Sequence, residues 1–226
     1  RGRVALVGAR HLEQGVVADA AVGVALCRGY VARQQRGPHV GQLGRDRVGE
    51  LEVSCAAAEA LRRVKMLQPE AAVFAVATVQ EEVGLRGAKT SAFGINPEIG
   101  IAVDVTFATD FPSMDKRLHP DVKLGNGPTI LRGANANRKL ADRLVAQAVE
   151  YKIPYQIEVY GGGTGTDANA MQVNRAGMIT GLVGIPLRYM HTPCEIVSLA
   201  DADNAAELMA RTAASVKPGE SWIPGN

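Results

Sequence analysis

AAVFAVATVQEEVG, residues 71–84, is a run of apolar and small side chains that ends abruptly in two glutamates. The run has strand length and no alternation, as expected for a strand buried on both faces. IGIAVDVTF at 99–107 repeats the pattern, with a single acid, Asp104, set inside it. Strands of this kind belong to a mostly parallel sheet covered by helices on both sides.

The flanking sequence supplies those helices. SCAAAEALRRVK at 54–65 places Ala, Leu and Val on one face and Glu59, Arg62 and Arg63 on the other. Residues 87–93 read as a short helix, 128–132 (PTILR) as a short strand and 137–152 as an amphipathic helix with Leu140, Leu144, Ala148 and Val149 inward. YQIEVY at 155–160 is a further strand, followed by a glycine-rich turn and a helix over 167–175. A strand at 178–183 and a closing helix at 201–216 complete the alternation. The expectation is an α/β fold with a mostly parallel central sheet.

Composition narrows the function. The chain has 226 residues, a hydrophobic fraction of 46% and a formal charge of +2. That charge is too small to point to nucleic acid or an acidic membrane surface. No apolar run is long enough to cross a bilayer. Three cysteines without a paired motif, Cys27, Cys55 and Cys194, fit a reduced, cytoplasmic setting. The chain carries no signal-peptide pattern, and its start at Arg1 reads as that of a fragment.

Residues 1–50 differ from the rest: they hold no Ser, Thr, Asn, Lys, Ile, Phe or Met and are dominated by Arg, Gly, Ala, Val and Gln. They show no clean period, so they are expected to be poorly ordered or a loose helix, and read as a translation artefact or an Arg-rich extension. The recognisable domain spans 51–226.

Working residues in open α/β sheets gather beyond the C-terminal strand ends. Three polar clusters fall there. Glu81 and Glu82 follow the 71–79 strand; they read either as a solvated turn or as paired carboxylates compensated by metal. Asp104 requires a metal or an arginine partner. His191, in YMHTPCE, reads either as a hydrogen-bonded structural residue or as a ligand. The turn GGGTGTDA at 161–168 lacks the order of a phosphate loop or a dinucleotide site. Gly163, Thr164, Gly165, Thr166 and Asp167 are candidates for close approach to a substrate, or for a capped turn with no ligand.

Taken in order, VQEEVGLRGA, AVDVTFATD, LGNGP, GGGTGTDANAMQV and RYMHTPCE resemble the glutamyl and deblocking aminopeptidases, metallopeptidase family forty-two. The resemblance implies a phosphorylase/hydrolase-like fold and two divalent ions, zinc or cobalt with manganese as a further option. It implies peptide substrates and self-association from dimers up to a dodecamer. Glu81 resembles the general base, Glu82 a ligand of one metal, Asp104 a ligand of the other and His191 a histidine ligand beside Glu82. Glu50 falls at the position of the bridging aspartate; Asp46 lies a few residues too early. The family's upstream His-x-Asp is missing, since His11 and His39 have other neighbours. The chain is therefore expected to be weak or inactive. The rival readings are a related two-metal carboxypeptidase or deacylase, and an inactive folded or assembling module. Adjacent carboxylates do not supply the opposed pair of a glycoside hydrolase.

Overall fold

The computed structural model describes residues 3–10, 48–112, 114–117 and 119–223. The elements run β1 (Arg3–Arg10), α1 (Val48–Leu67), β2 (Ala72–Val79), α2 (Arg86–Ile95), β3 (Ile99–Phe107), β4 (Thr129–Gly133), α3 (Arg138–Glu150), β5 (Gln156–Tyr160), α4 (Asp167–Gln172), β6 (Ile179–Arg188), β7 (Ile196–Val197) and α5 (Leu199–Ser215). The strand order is β2-β1-β3-β6-β4-β5, with β7 paired to β6. Strands β2, β1, β3 and β6 are mutually parallel, β4 is antiparallel to β6, and β5 is parallel to β4.

The first correction concerns residues 1–50. Arg3–Arg10 form neither a loose helix nor a poorly ordered arm but a strand at the heart of the sheet, paired along β2 and β3. Val4, Ala5, Leu6 and Val7 are at most 3% exposed. A strand buried on both faces has no period to detect, so its four apolar residues were hidden by the arginine-rich composition around them. Residues 11–47 lie outside the described residues.

Helix α1 packs across this strand. Val53, Ala56, Ala57, Ala60 and Val64 fall at the helical spacing and are buried. The approach is close: a Cβ on Gly8 would stand 2.9 Å from the Val53 carbonyl oxygen. Helices α3 and α5 share this face, burying Leu140, Leu144, Ala205, Met209 and Ala213. Each large apolar side chain of this layer contributes roughly 1.5–3 kcal/mol by leaving water. The opposite face is covered by the short helices α2 and α4, through Ala88, Ala92, Ala168 and Met171.

Other boundaries shifted for local reasons. Helix α4 ends at Gln172, short of 175, and Arg175 adopts φ 52°. Strand β6 runs on to Arg188 although it contains Pro186. The Leu187 carbonyl accepts from Ala108 on the β3 side, so the Pro186 nitrogen faces the other edge. There it falls between the pairing of β4, at Gly184, and that of β7, at Leu187. A missing donor costs no ladder bond at that point. Cys55 is disulfide-bonded, against the expectation of reduced cysteines, while Cys194 is free and exposed. Among the described residues no helix is long and apolar enough to cross a membrane.

Candidate active site

Strands β1, β2, β3 and β6 all point their C-terminal ends the same way, and three of the four lead into polar loops. After β2, Gln80 takes φ 57° and turns the chain so that Glu81 and Glu82 stand at the sheet edge. The turn is closed by the backbone: the amides of Gly84 and Leu85 donate to the Glu81 carbonyl at 3.1 and 2.9 Å, and Arg86 donates to Gln80 at 3.3 Å. Two glycines make this possible. Gly84 sits at φ +113°, and a Cβ on Gly87 would come within 2.4 Å of the Val79 nitrogen. Helix α2 therefore begins against the last residue of β2.

After β6, Tyr189 and His191 both adopt left-handed conformations, at φ 60° and 64°. Non-glycine residues rarely sit there, and such strain persists only where the surroundings impose it. Here the Glu195 carboxylate accepts from the His191 amide at 2.8 Å, and the Thr192 hydroxyl donates to the Tyr189 carbonyl at 2.6 Å. Upstream, Arg188 grips Asp110 with two donors at 2.8 and 2.7 Å, and its guanidinium holds the Asp110 carboxyl below its ordinary value.

These two strained turns meet. His191 Nε2 lies 3.3 Å from Glu82 Oε1, with both side chains partly open to solvent. Two ligands of one tetrahedral zinc ion, each about 2.1 Å from it, stand roughly 3.4 Å apart, so the pair is spaced as a shared ion would require. Asp104 lies on β3 opposite Gly184 of β6, and its Oδ1 accepts from the Val105 amide at 2.8 Å. Among the described residues no three His, Cys, Asp or Glu side chains converge as a metal cluster. The described residues thus bring one glutamate and one histidine together and complete no metal site. Glu50 lies in the first turn of α1, and its side chain is outside the described residues.

The glycine-rich loop behaves as two parts. Gly163 and Gly165 are exposed and Thr164 and Thr166 half-buried. Nothing lies within 4 Å of a Cβ placed on Gly165, so no packing inside the described chain demands a glycine there. Asn135, buried between β4 and α3, accepts from the Thr164 amide and donates to Asn169 and Gln172 at 3.1 and 2.9 Å. Asp167 does not join the loop surface. It is 2% exposed, its carboxyl faces the sheet, and burial pushes its pKa up to about 6. Its inclusion among the substrate-facing residues is corrected on that point. The LGNGP loop is pinned from below: the Gly125 and Gly127 amides donate to buried Asp201 at 2.7 and 2.8 Å.

Asn135, Asp201, Thr78 and the Arg188–Asp110 pair were not singled out from sequence. Only Asp201 carried a local signal, as an acid in the first turn of a helix. The others are recognisable only through partners distant in the chain.

The model of the M42 glutamyl aminopeptidases matches residues 46–208. The chain belongs to this family. The M42 chain is similar to the lysyl aminopeptidase of Pyrococcus furiosus, at 45% identity over 149 residues, 66% of this chain and 42% of that protein. It is also similar to aminopeptidase APDkam598 from the archaeon Desulfurococcus kamchatkensis, at 41% identity and TM-score 0.64, covering 71% of this chain and 46% of the other. A third similar structure is the Pyrococcus horikoshii TET1 peptidase, which can assemble into a tetrahedron or a large octahedral shell. There the identity is 30% and the TM-score 0.64, over 79% of this chain and 53% of that one. The M42 chain thus spans less than half the length of the curated relatives it matches.

Proposed function

We propose that this chain carries the catalytic half of a metal-dependent aminopeptidase that removes single N-terminal residues from peptides. The observation that carries the reading is the Glu82–His191 pair, brought to ligand spacing by two strained turns at the C-terminal edge of a parallel sheet. Glu82 and His191 would hold one divalent ion, and Asp104 would serve a second, with zinc or cobalt suited to these donors and manganese a further option. When bound, such ions lower the pKa of a coordinated water and polarise the scissile carbonyl.

The chain's own residues do the rest. Glu81, fixed by the backbone bonds of its turn, takes the proton from the attacking water and passes it to the leaving amine. Exposed Gly163 and Gly165, with half-buried Thr164 and Thr166 between and after them, would give a peptide a surface to run alongside. Self-association into a closed shell, as in the TET1 peptidase, would confine access to short, unfolded peptides.

The fold also changes which histidine deserves a test. Arg10, the last residue of β1, pairs with Val79, the last residue of β2, and the next residue in the chain is His11. Strand β1 therefore ends at the edge that presents Glu81 and Glu82, and the sequence that follows it is His11-Leu12-Glu13. His11 itself lies outside the described residues. We assign it as the first candidate for the upstream histidine ligand, in place of a strict His-x-Asp.

Metal stoichiometry after dialysis against zinc tests the reading, for the parent chain and for the Glu82→Ala and His11→Ala variants. Two ions in the parent and a loss in each variant are expected. No bound ion in the folded parent would overturn it and favour the second reading, an inactive assembling module, which the absence of a three-ligand cluster among the described residues supports.

A further inference from the structure

Asp167 is a deeply buried acid near the sheet edge that the hydrolytic chemistry does not use. It opens α4, which is packed into the face covering β3 and β6, and its neighbours Ala168 and Met171 are fully buried. Its Oδ2 lies 2.5 Å from Thr78 Oγ1, on the penultimate residue of β2. The same Thr78 oxygen lies 3.2 Å from the carbonyl of Gly8, on β1. Asp167 Oδ1 is buried and has no hydrogen-bond partner among the described residues.

The protons must be counted. A threonine hydroxyl has one proton, and two acceptors compete for it. If Asp167 were ionised, the proton would go to one of them only, and a buried carboxylate would keep an oxygen with no donor at all. Leaving a charged group so poorly solvated is costly. If Asp167 carries a proton on Oδ2, every donor finds a place: Asp167 donates to Thr78, and Thr78 donates to Gly8. Only a neutral carbonyl oxygen, Oδ1, is then left without a partner, a far smaller cost. Burial disfavours the anion and outweighs the Thr78 hydroxyl, which alone among the described influences favours it. Burial and the Thr78 hydroxyl are what act on this carboxyl, with no ionised side chain among its described influences.

We propose that Asp167 is a neutral, proton-donating positioning residue that ties the start of α4 and the glycine-rich loop to the ends of β1 and β2. The chain of bonds Asp167 to Thr78 to Gly8 ties α4 to β2 and β1. Thr78 stands three residues before Glu81, and Asp167 one after Thr166. The link sets how far the peptide-facing loop stands from the general base. This role rests on the aminopeptidase reading, whereas the protonation state of Asp167 does not.

Carbon-13 NMR of the chain labelled at the aspartate side-chain carboxyls tests the proton directly. One aspartate signal is expected to titrate near pH 6 and to vanish in Asp167→Asn. The positioning role is read from hydrolysis of an aminoacyl-anilide. An asparagine amide donates to Thr78 as the neutral acid does, so Asp167→Asn should stay within about twofold of the parent rate. Asp167→Ala, and Thr78→Val as a variant that keeps the shape of the site, should each lower kcat by about tenfold with KM little changed, as for residues that support a site from behind. The inference is overturned if no aspartate titrates above pH 5, or if the asparagine variant loses as much activity as the alanine one. A parent chain that hydrolyses nothing would sink the aminopeptidase reading while the NMR signal still decides the state of Asp167. An active parent without that signal would sink this inference alone.

Discussion

Glu82 and Asp167 stand near the same edge of the same sheet and are treated in opposite ways. Glu82 is 38% exposed, projects from a strained turn and stands 3.3 Å from a histidine nitrogen. Asp167 is sealed beneath a helix, with a threonine hydroxyl as its partner. The first arrangement leaves a carboxylate facing solvent beside an imidazole; the second buries one as a structural donor. The difference lies in the backbone rather than in the side chains. Left-handed turns at Gln80, Tyr189 and His191 lift one set of groups out of the sheet, and a helix start presses the other into it. The candidate site residues stand where strain exposes them, and their packing support lies one layer below.

The comparison is broken most sharply at Glu81, which shares the exposed turn. Glu81→Gln removes the proton acceptor with little change in shape, and hydrolysis should fall by about 10²–10⁴-fold while metal content holds. An equal loss of metal would mean that Glu81 belongs to the ligand set instead.

The buried member answers to pH. Its carboxyl has an ordinary value of 3.8 and is pushed up to about 6 in the fold, so the folded chain binds that proton more tightly than the unfolded one. Its contribution to stability is full below 3.8, fades as pH rises to about 6, and beyond that leaves the fold roughly 3 kcal/mol worse off than in acid. In Asp167→Asn this loss should disappear, so the difference in unfolding free energy between pH 4 and pH 8 should shrink by up to that amount in denaturant titrations. An unchanged pH dependence would place the ionisation elsewhere.

Gly87→Ala probes the scaffold between the two. The added methyl meets the backbone of Val79 rather than a side chain that could swing aside. Thermal unfolding should register a loss of about 1–3 kcal/mol, and activity should fall as the Glu81 turn shifts. The exposed Lys217–Glu70 pair gives the floor of the scale. Lys217→Ala should change stability by less than about 1 kcal/mol, since surface ion pairs are weak.

What could be read in the sequence follows the same division. The strands at 71–79 and 99–107 were legible because buried parallel strands are written as apolar runs. Glu81, Glu82, Asp104 and His191 stood out as candidates because acids and a histidine at strand ends have few structural reasons to be there. The support layer was not legible. Thr78 and Asp167 are 89 positions apart and Asn135 and Asn169 are 34, and nothing local marks either pair. Strand β1 was missed for a different reason: its arginine- and glycine-rich surroundings masked a short apolar run.

The central claim is that Glu81 and the Glu82–His191 pair form a peptide-hydrolysing site. It is tested most directly by incubating the zinc- or cobalt-loaded chain with a free-amine peptide and with its N-acetylated twin, and following release of the first amino acid. Release from the free peptide alone, lost in Glu81→Gln, is the expected result. No release by a folded chain that holds its metal, or equal release from the acetylated peptide, would contradict it.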